Sequence, residues 1–226
     1  MKILAALRAA TLLAMTVALS SALAASGKNE LEARMSRDGL EKTKVKNIDL
    51  AYARPGTSLA AYKRVKLDPV EVAFSPSWNP TRTGSSLKLS SEEKEAIRTG
   101  VAKLVEEEFA KEIQAGGRYQ VVSETGPDVL RVRAGIVNLY INAPDTGPAR
   151  SRTIVRSAGE MTLIAELTDS TSGQVLARVA DRQEATDTRM QIANGMVNET
   201  EARWIAADWA KALRKALDNA QGIGAK

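Results

Sequence analysis

Apolar and polar residues alternate with two periods along this chain, and those periods place its elements. Across residues 62–74, Val65 and Leu67 alternate with charged residues. The phase slips at Asp68-Pro69, and Val70, Val72 and Phe74 resume it. A period of two marks a half-buried strand, and proline cannot donate to a ladder, so an edge position or a bulge is expected at the slip. Ile97, Val101, Leu104, Val105, Phe109 and Ile113 recur at helical spacing. Ser90, three residues before Glu93, gives that helix a capping-box start, and Gly116-Gly117 gives it an end. A short strand over 119–122 and a long one over 128–141 follow. In the long strand Leu130, Val132, Ala134 and Ile136 share one face, with Arg131 and Arg133 opposite. Past Ile136 the apolar phase moves to Val137, Leu139 and Ile141, which predicts a bulge or twist. Strands over 160–169 and 174–181 are joined by a hairpin loop, Asp169-Ser170-Thr171-Ser172-Gly173. A polar stretch leads to Asn198, which lies three residues before Glu201 and reads as a second helix start. Ala202, Ile205, Trp209, Leu213 and Leu217 then stripe a last helix running to about residue 221. Residues 75–89, which hold Trp78, and residues 142–157 read as loops.

This order predicts an α+β fold: a two-layer sandwich, its mostly antiparallel sheet covered on one face by two amphipathic helices. No internal repeat is visible.

The start of the chain has a different character. Lys2 and Arg8 precede an apolar run over residues 9–19, and Ala22-Leu23-Ala24 supplies small residues before a cut that would make Ala25 the mature start. The run is too short to span a bilayer. Residues 1–24 therefore read as a signal peptide, and the mature chain as periplasmic or secreted. Residues 25–47 are polar, with Leu31, Met35, Leu40 and Val45 their sizeable apolar residues. They read as a flexible lead-in, with a docking arm as the alternative. Residues 48–221 then form a single domain, and 222–226 a tail.

Composition narrows the chemistry. The chain of 226 residues has no cysteine and no histidine. That removes disulfides, Ser-His-Asp and Cys-His catalysis and the usual zinc sites. Alanine at position 25 excludes a lipid-bearing cysteine there. Loss of the two positive charges in residues 1–24 lowers the net charge from +5 to +3, too little to argue for nucleic acid. Neither a cofactor nor a metal is expected.

Each remaining motif has a plain structural reading beside its chemical one. Ser91-Glu92-Glu93-Lys94 and Ser85-Ser86-Leu87-Lys88 have the spacing of a Ser-Lys dyad, but no Lys-Thr-Gly follows and the first sits in a charged helix start. Asp68 with Glu71, and Asp169, Asp181, Glu184 and Asp187, are paired carboxylates in one reading and turn formers in the other. Arg131, Arg133, Arg178 and Arg182 share the open sheet face with Glu160, Thr162 and Glu166, either as a binding face or as solvated cross-strand pairs. Arg150, Arg152 and Arg156 offer an anionic partner charge, or are plain loop charge. Trp204, five residues before the core-facing Trp209, is a contact residue or packs at the edge of the stripe. Arg54, Glu71, Trp78, Arg131 and Arg133 are the candidate binding residues: a core does not require them, and Arg and Trp are enriched at interface hot spots. The plain alternative pairs Arg54 with Glu71 and sets Trp78 at the edge of the core.

Several stretches carry a family likeness. They are Tyr52-Ala53-Arg54-Pro55-Gly56, then Tyr62-Lys63-Arg64-Val65-Lys66-Leu67-Asp68-Pro69-Val70-Glu71-Val72, then Trp78. Gly126-Pro127-Asp128-Val129-Leu130-Arg131-Val132, Ile141-Asn142-Ala143-Pro144-Asp145, Ala158-Gly159-Glu160-Met161-Thr162-Leu163 through Asp169-Ser170 to Thr171-Ser172-Gly173, and Leu176-Ala177-Arg178 complete the pattern. Over residues 48–218 the chain resembles bacterial domain-of-unknown-function family 3313, exported envelope proteins of which many are lipoproteins. The resemblance implies a compartment and a fold, not an activity. The expected function is a non-enzymatic binding or assembly module whose partner is an envelope protein or component. The alternatives are a periplasmic hydrolase using carboxylates or a Ser-Lys pair, and a polyanion-binding protein.

Overall fold

The computed structural model describes residues 28–81, 88–141, 153–193 and 195–223. In chain order the elements are α1 (Lys28–Met35), a 3-10 turn (Arg37–Gly39), β1 (Glu41–Thr43), β2 (Leu50–Ala53), β3 (Arg64–Leu67) and β4 (Glu71–Phe74). Then come α2 (Ser91–Gln114), β5 (Gln120–Val121), β6 (Val129–Ile141), β7 (Thr153–Asp169), β8 (Val175–Ala193) and α3 (Gly195–Ala220). The eight strands form one sheet in the order β1-β2-β8-β7-β6-β3-β5, with β4 also paired to β6. From β1 to β6 neighbours are antiparallel. β3 and β4 lie parallel to β6, and β5 lies parallel to β3. The fold is α+β, with a mixed sheet.

The single strand expected over 62–74 is two strands on one partner. The Asp68 N–H still reaches the Val132 carbonyl (2.9 Å). Pro69 has no donor, and the Val70 N–H is taken by the Glu106 carboxylate of α2 (2.7 Å). A side chain from the helical layer thus satisfies the backbone where the ladder breaks.

α2 begins with the expected capping box. The Ser90 hydroxyl accepts from the Glu93 N–H (3.2 Å), and the Ser90 N–H donates to the Glu93 carboxylate (2.7 Å). The phase change in β6 is a bulge: the register with β7 shifts between Val137 and Tyr140, and Asn138 takes a φ of 54°. Ile136 and Leu139 consequently both reach the core.

That core lies between one sheet face and the two long helices. Leu130, Val132, Ile136 and Leu163 pack against Phe109, Ile113, Trp209 and Leu217. The Trp209 indole N–H donates to Asp181 Oδ2 (2.7 Å). Asp181 is 1 % exposed and also accepts from the Asp49 N–H (2.9 Å) and the Gln183 side-chain amide (2.6 Å). Three donors offset the loss of water around this carboxylate.

The structure departs from the sequence reading in three further places. Residues 28–43 are not a loose lead-in: residues 41–43 add the edge strand β1, and residues 28–40 are the docking arm given as the alternative, folding onto the second face of the sheet. There Met35 and Leu40 pack with Leu50, Tyr52 and Ala180, and Leu31, Ile164 and Val175 border them. Strand β7 begins at Thr153 and β8 continues to Ala193, so the expected loop and polar stretch contain an antiparallel ribbon, with Thr153 opposite Ala193. Finally, α3 starts at Gly195, which puts Asn198 inside the helix rather than at its cap.

Candidate functional site

The second sheet face has two halves. On the β2–β8 side α1 covers it. Arg178 donates to the carbonyls of Arg37 (3.2 Å) and Arg34 (3.5 Å) and pairs with Asp38. Arg54 donates from Nε to the Val175 carbonyl (2.8 Å) and from Nη2 to the Asp38 carbonyl (2.7 Å). Two guanidinium groups thus grip the 3-10 turn that follows α1, and Arg178 also reaches the Arg34 carbonyl in the last turn of α1, where a cation is favoured.

On the β6 side no helix among the described residues packs over the charged residues. Arg131 and Arg133 project there because they lie out of phase with the core residues of β6. Arg131 Nε lies 3.0 and 2.9 Å from the two Asp68 oxygens, and its Nη2 lies 2.8 Å from Oδ2. Arg133 Nε lies 3.6 Å from the same Asp68, and its Nη1 donates to Glu166 Oε1 (3.0 Å). Glu166 Oε2 accepts from Arg178 Nε (2.9 Å). Acid and base alternate from Arg131 through Asp68, Arg133, Glu166 and Arg178 to Asp38, and an Arg182–Glu160 pair stands beside them. Each pair contributes little stability at the surface. Their combined effect is to fix the guanidinium groups. The Arg131 and Arg133 side chains remain 34 % and 41 % exposed.

Of the five candidate residues, three come together. Glu71 is exposed on β4, opposite Gly135 of β6. It shares the face of Arg131 and Arg133. The other two lie elsewhere. Arg54 is separated from Glu71 by β8, β7 and β6, and its guanidinium is given to backbone carbonyls, so the two do not pair. Trp78 is buried. It stacks on Phe74 with centroids 4.2 Å apart and an interplanar angle of 14°, and its indole N–H donates to the Ile141 carbonyl (2.9 Å). The arginine–acid face was legible from phase alone. Asp38 was missed, because nothing periodic announces that residues 28–43 dock.

The other nominated chemistry is tied into the scaffold. Ser91 is exposed in the first turn of α2. Ser85, Arg150 and Arg152 lie outside the described residues, as do Ala24 and Ala25. Asp169 accepts from the Ser172 N–H (2.7 Å) and hydroxyl (2.8 Å), the Thr171 N–H (3.1 Å) and the Tyr62 hydroxyl (3.0 Å). The Ser172 N–H, more than any other partner, holds the Asp169 carboxyl below its ordinary value. Among the described residues no group of three or more acidic side chains is arranged to hold a metal ion.

Burial, then the hydrogen bond to Asp169, pushes the Tyr62 hydroxyl up to about 12. Burial and Asp218, whose Oδ1 accepts from the Tyr119 hydroxyl (2.9 Å), push Tyr119 up to about 12 as well. A raised folded-state value favours the neutral phenol. Its contribution to stability is therefore intact below pH 10 and is lost as the pH climbs from 10 to 12. An ultraviolet tyrosinate titration should show both groups ionising late, with unfolding in that window. Ionisation of both at pH 10 in the folded protein would contradict their burial and their hydrogen bonds to Asp169 and Asp218.

The family model described as "Protein of unknown function (DUF3313)" matches residues 32–213. The chain belongs to this family. The match begins inside α1, so the DUF3313 unit includes part of the segment that covers the second sheet face. Comparison with curated proteins gives no match. The solved structures to which the DUF3313 chain is similar include the following, all at low identity. A PelC dodecamer from Paraburkholderia phytofirmans shares 12% identity, with 76% of this chain and 96% of that one covered and a TM-score of 0.37. Protein XCC0632 from Xanthomonas campestris shares 10%, covering 75% and 91%, with a TM-score of 0.43. A putative neuraminyllactose-binding hemagglutinin homolog from Helicobacter pylori shares 10%, covering 74% and 91%, with a TM-score of 0.31. Likeness at this level transfers neither activity nor partner. No helix among the described residues is long and apolar enough to cross a membrane.

Proposed function

We propose that this DUF3313 protein is an exported, non-enzymatic binding or assembly module of the cell envelope, and that it contacts a protein partner through Glu71, Arg131 and Arg133. The observation that carries the reading is the shared Asp68. It fixes two half-exposed arginines side by side on the half of the sheet face that α1 leaves uncovered. Guanidinium groups already held in place lose little rotamer freedom on binding. Each arginine is also balanced by a carboxylate. That favours a partner surface of mixed charge and weighs against a polyanion, which needs unbalanced positive charge. Exported placement rests on residues 1–24, and mass spectrometry of the mature protein should find Ala25 at its start.

The test compares capture with stability. Arg131→Ala combined with Arg133→Ala should abolish partner capture. Arg178 still balances Glu166, and adding Asp68→Asn removes the largely buried charge that both arginines had paired, so in the triple variant capture is lost while the melting point stays within a few degrees. Arg54→Ala should lower the melting point through its two carbonyl contacts, and lower capture only in proportion. Capture that survives loss of both sheet arginines contradicts the reading.

A further inference from the structure

Trp204 is 62 % exposed on α3, the large apolar side chain left in solvent among the described residues. Trp209, five residues on, fills the core, and the packing of α3 does not use Trp204. Steps of four, seven and eleven residues from Trp204 reach Asp208, Lys211 and Lys215, which share its side of the helix. The Asp208 and Lys211 side chains are 76 % and 43 % exposed, and Lys215 is exposed. Within one chain Asp208 and Lys211 pair at 3.1 Å, an exposed contact that contributes little and is readily exchanged.

The order of this stripe makes it complementary to itself. Trp204 and Lys215 are centred on a point between Trp209 and Ala210, and so are Asp208 and Lys211. Two copies of α3 laid antiparallel about that point set each Trp204 against Lys215 of the other copy. The same register sets each Asp208 against Lys211. Each contact occurs twice, as a twofold axis requires. A lysine ammonium over an indole face and two ion pairs then bury the tryptophan. Parallel pairing would instead oppose aspartate to aspartate and lysine to lysine. We propose that this stripe is a self-association surface, joining α3 to α3 of a second copy in an antiparallel dimer. A few turns of one helix place the interface at the small end of specific contacts, so the dimer is weak, with a dissociation constant on the order of tens of micromolar. The stripe lies in the helical layer, across the sheet from Arg131 and Arg133, so either surface can fail without the other.

Sedimentation of the mature protein from low micromolar to near-millimolar concentration tests it. The wild type should pass from monomer to dimer. Trp204→Ala should stay monomeric with an unchanged melting point, because the ring is solvated in the monomer. Asp208→Lys should also stay monomeric, since it faces Lys211 of the other copy. Adding Lys211→Asp to it should restore the dimer, because the exchanged charges again meet their opposites. A wild type that is monomeric throughout overturns the proposal, as does a Trp204→Ala variant that dimerises. Failure of the folded charge-exchanged variant to recover overturns it too. So does Trp204-dependent binding to phosphatidylglycerol vesicles by a protein that remains monomeric, which would assign the stripe to a lipid surface.

Discussion

Replacing Trp209 with alanine should lower stability by about 3–5 kcal/mol, a large share of what a domain of this size has. Two losses add. The ring leaves a cavity between α3 and the sheet, where it is 3 % exposed. Asp181 also loses one of its three donors while remaining buried. Trp209→Phe separates the effects: it keeps most of the packing and removes the N–H, so about 1–3 kcal/mol should be lost. Lys215→Ala, on the solvent side of the same helix, should change stability by less than about 0.5 kcal/mol in dilute protein. Chemical denaturation midpoints check all three. Equal midpoints for the Trp209→Ala and Lys215→Ala variants would mean that α3 is turned the wrong way.

Gly159→Ala should be the other severe change, at about 1–3 kcal/mol or more. Gly159 lies on β7 opposite Ile141, just past the bulge of β6, and a β-carbon there would stand 2.3 Å from the Tyr140 carbonyl oxygen. That atom is backbone and cannot rotate away, so the β6–β7 pairing has to open. Gly100 gives the opposite sign. It sits on the exposed side of α2, and a β-carbon added there would meet nothing within 4 Å. Alanine at that position should stabilise the helix by about 0.5–1 kcal/mol. Hydrogen exchange should show weakened protection along β6 and β7 in the first variant, and unchanged protection in the second. Unaltered β6–β7 protection with Gly159→Ala would contradict the close approach.

What the sequence disclosed depended on whether an element buries one clean face. The stripes of α2 and α3 and the alternation of β6 do so, and even the bulge at Asn138 showed as a change of phase. The docking of residues 28–43 had no such signature. Leu31, Met35 and Leu40 hold it together with Arg54 and Arg178, which reach backbone carbonyls from other strands. Contacts of that kind depend on tertiary placement and leave no period. The ribbon at the start of β7 and the end of β8 lacks apolar alternation and read as loop for the same reason. In the candidate site, phase placed Arg131 and Arg133 on one face. The bridge through Asp68 depends on how the chain turns at Pro69, and proline marks that a turn occurs without giving its direction. Trp78 sits in a loop as expected, yet its burial follows from Phe74 and the Ile141 carbonyl, which only the fold brings near.

The most direct test of the proposed contact surface is site-specific photocrosslinking in intact cells. A crosslinking residue at position 71, opposite Gly135, lies on the sheet face of Arg131 and Arg133 and leaves their acid partners in place, and one at position 103 reports on the opposite, helical layer. Position 71 should give a discrete adduct and position 103 none. The adduct should vanish when Arg131 and Arg133 are both alanine and Asp68, their shared partner, is asparagine, while the melting point holds within a few degrees. No adduct at position 71, or one indifferent to the loss of both arginines, would contradict the account.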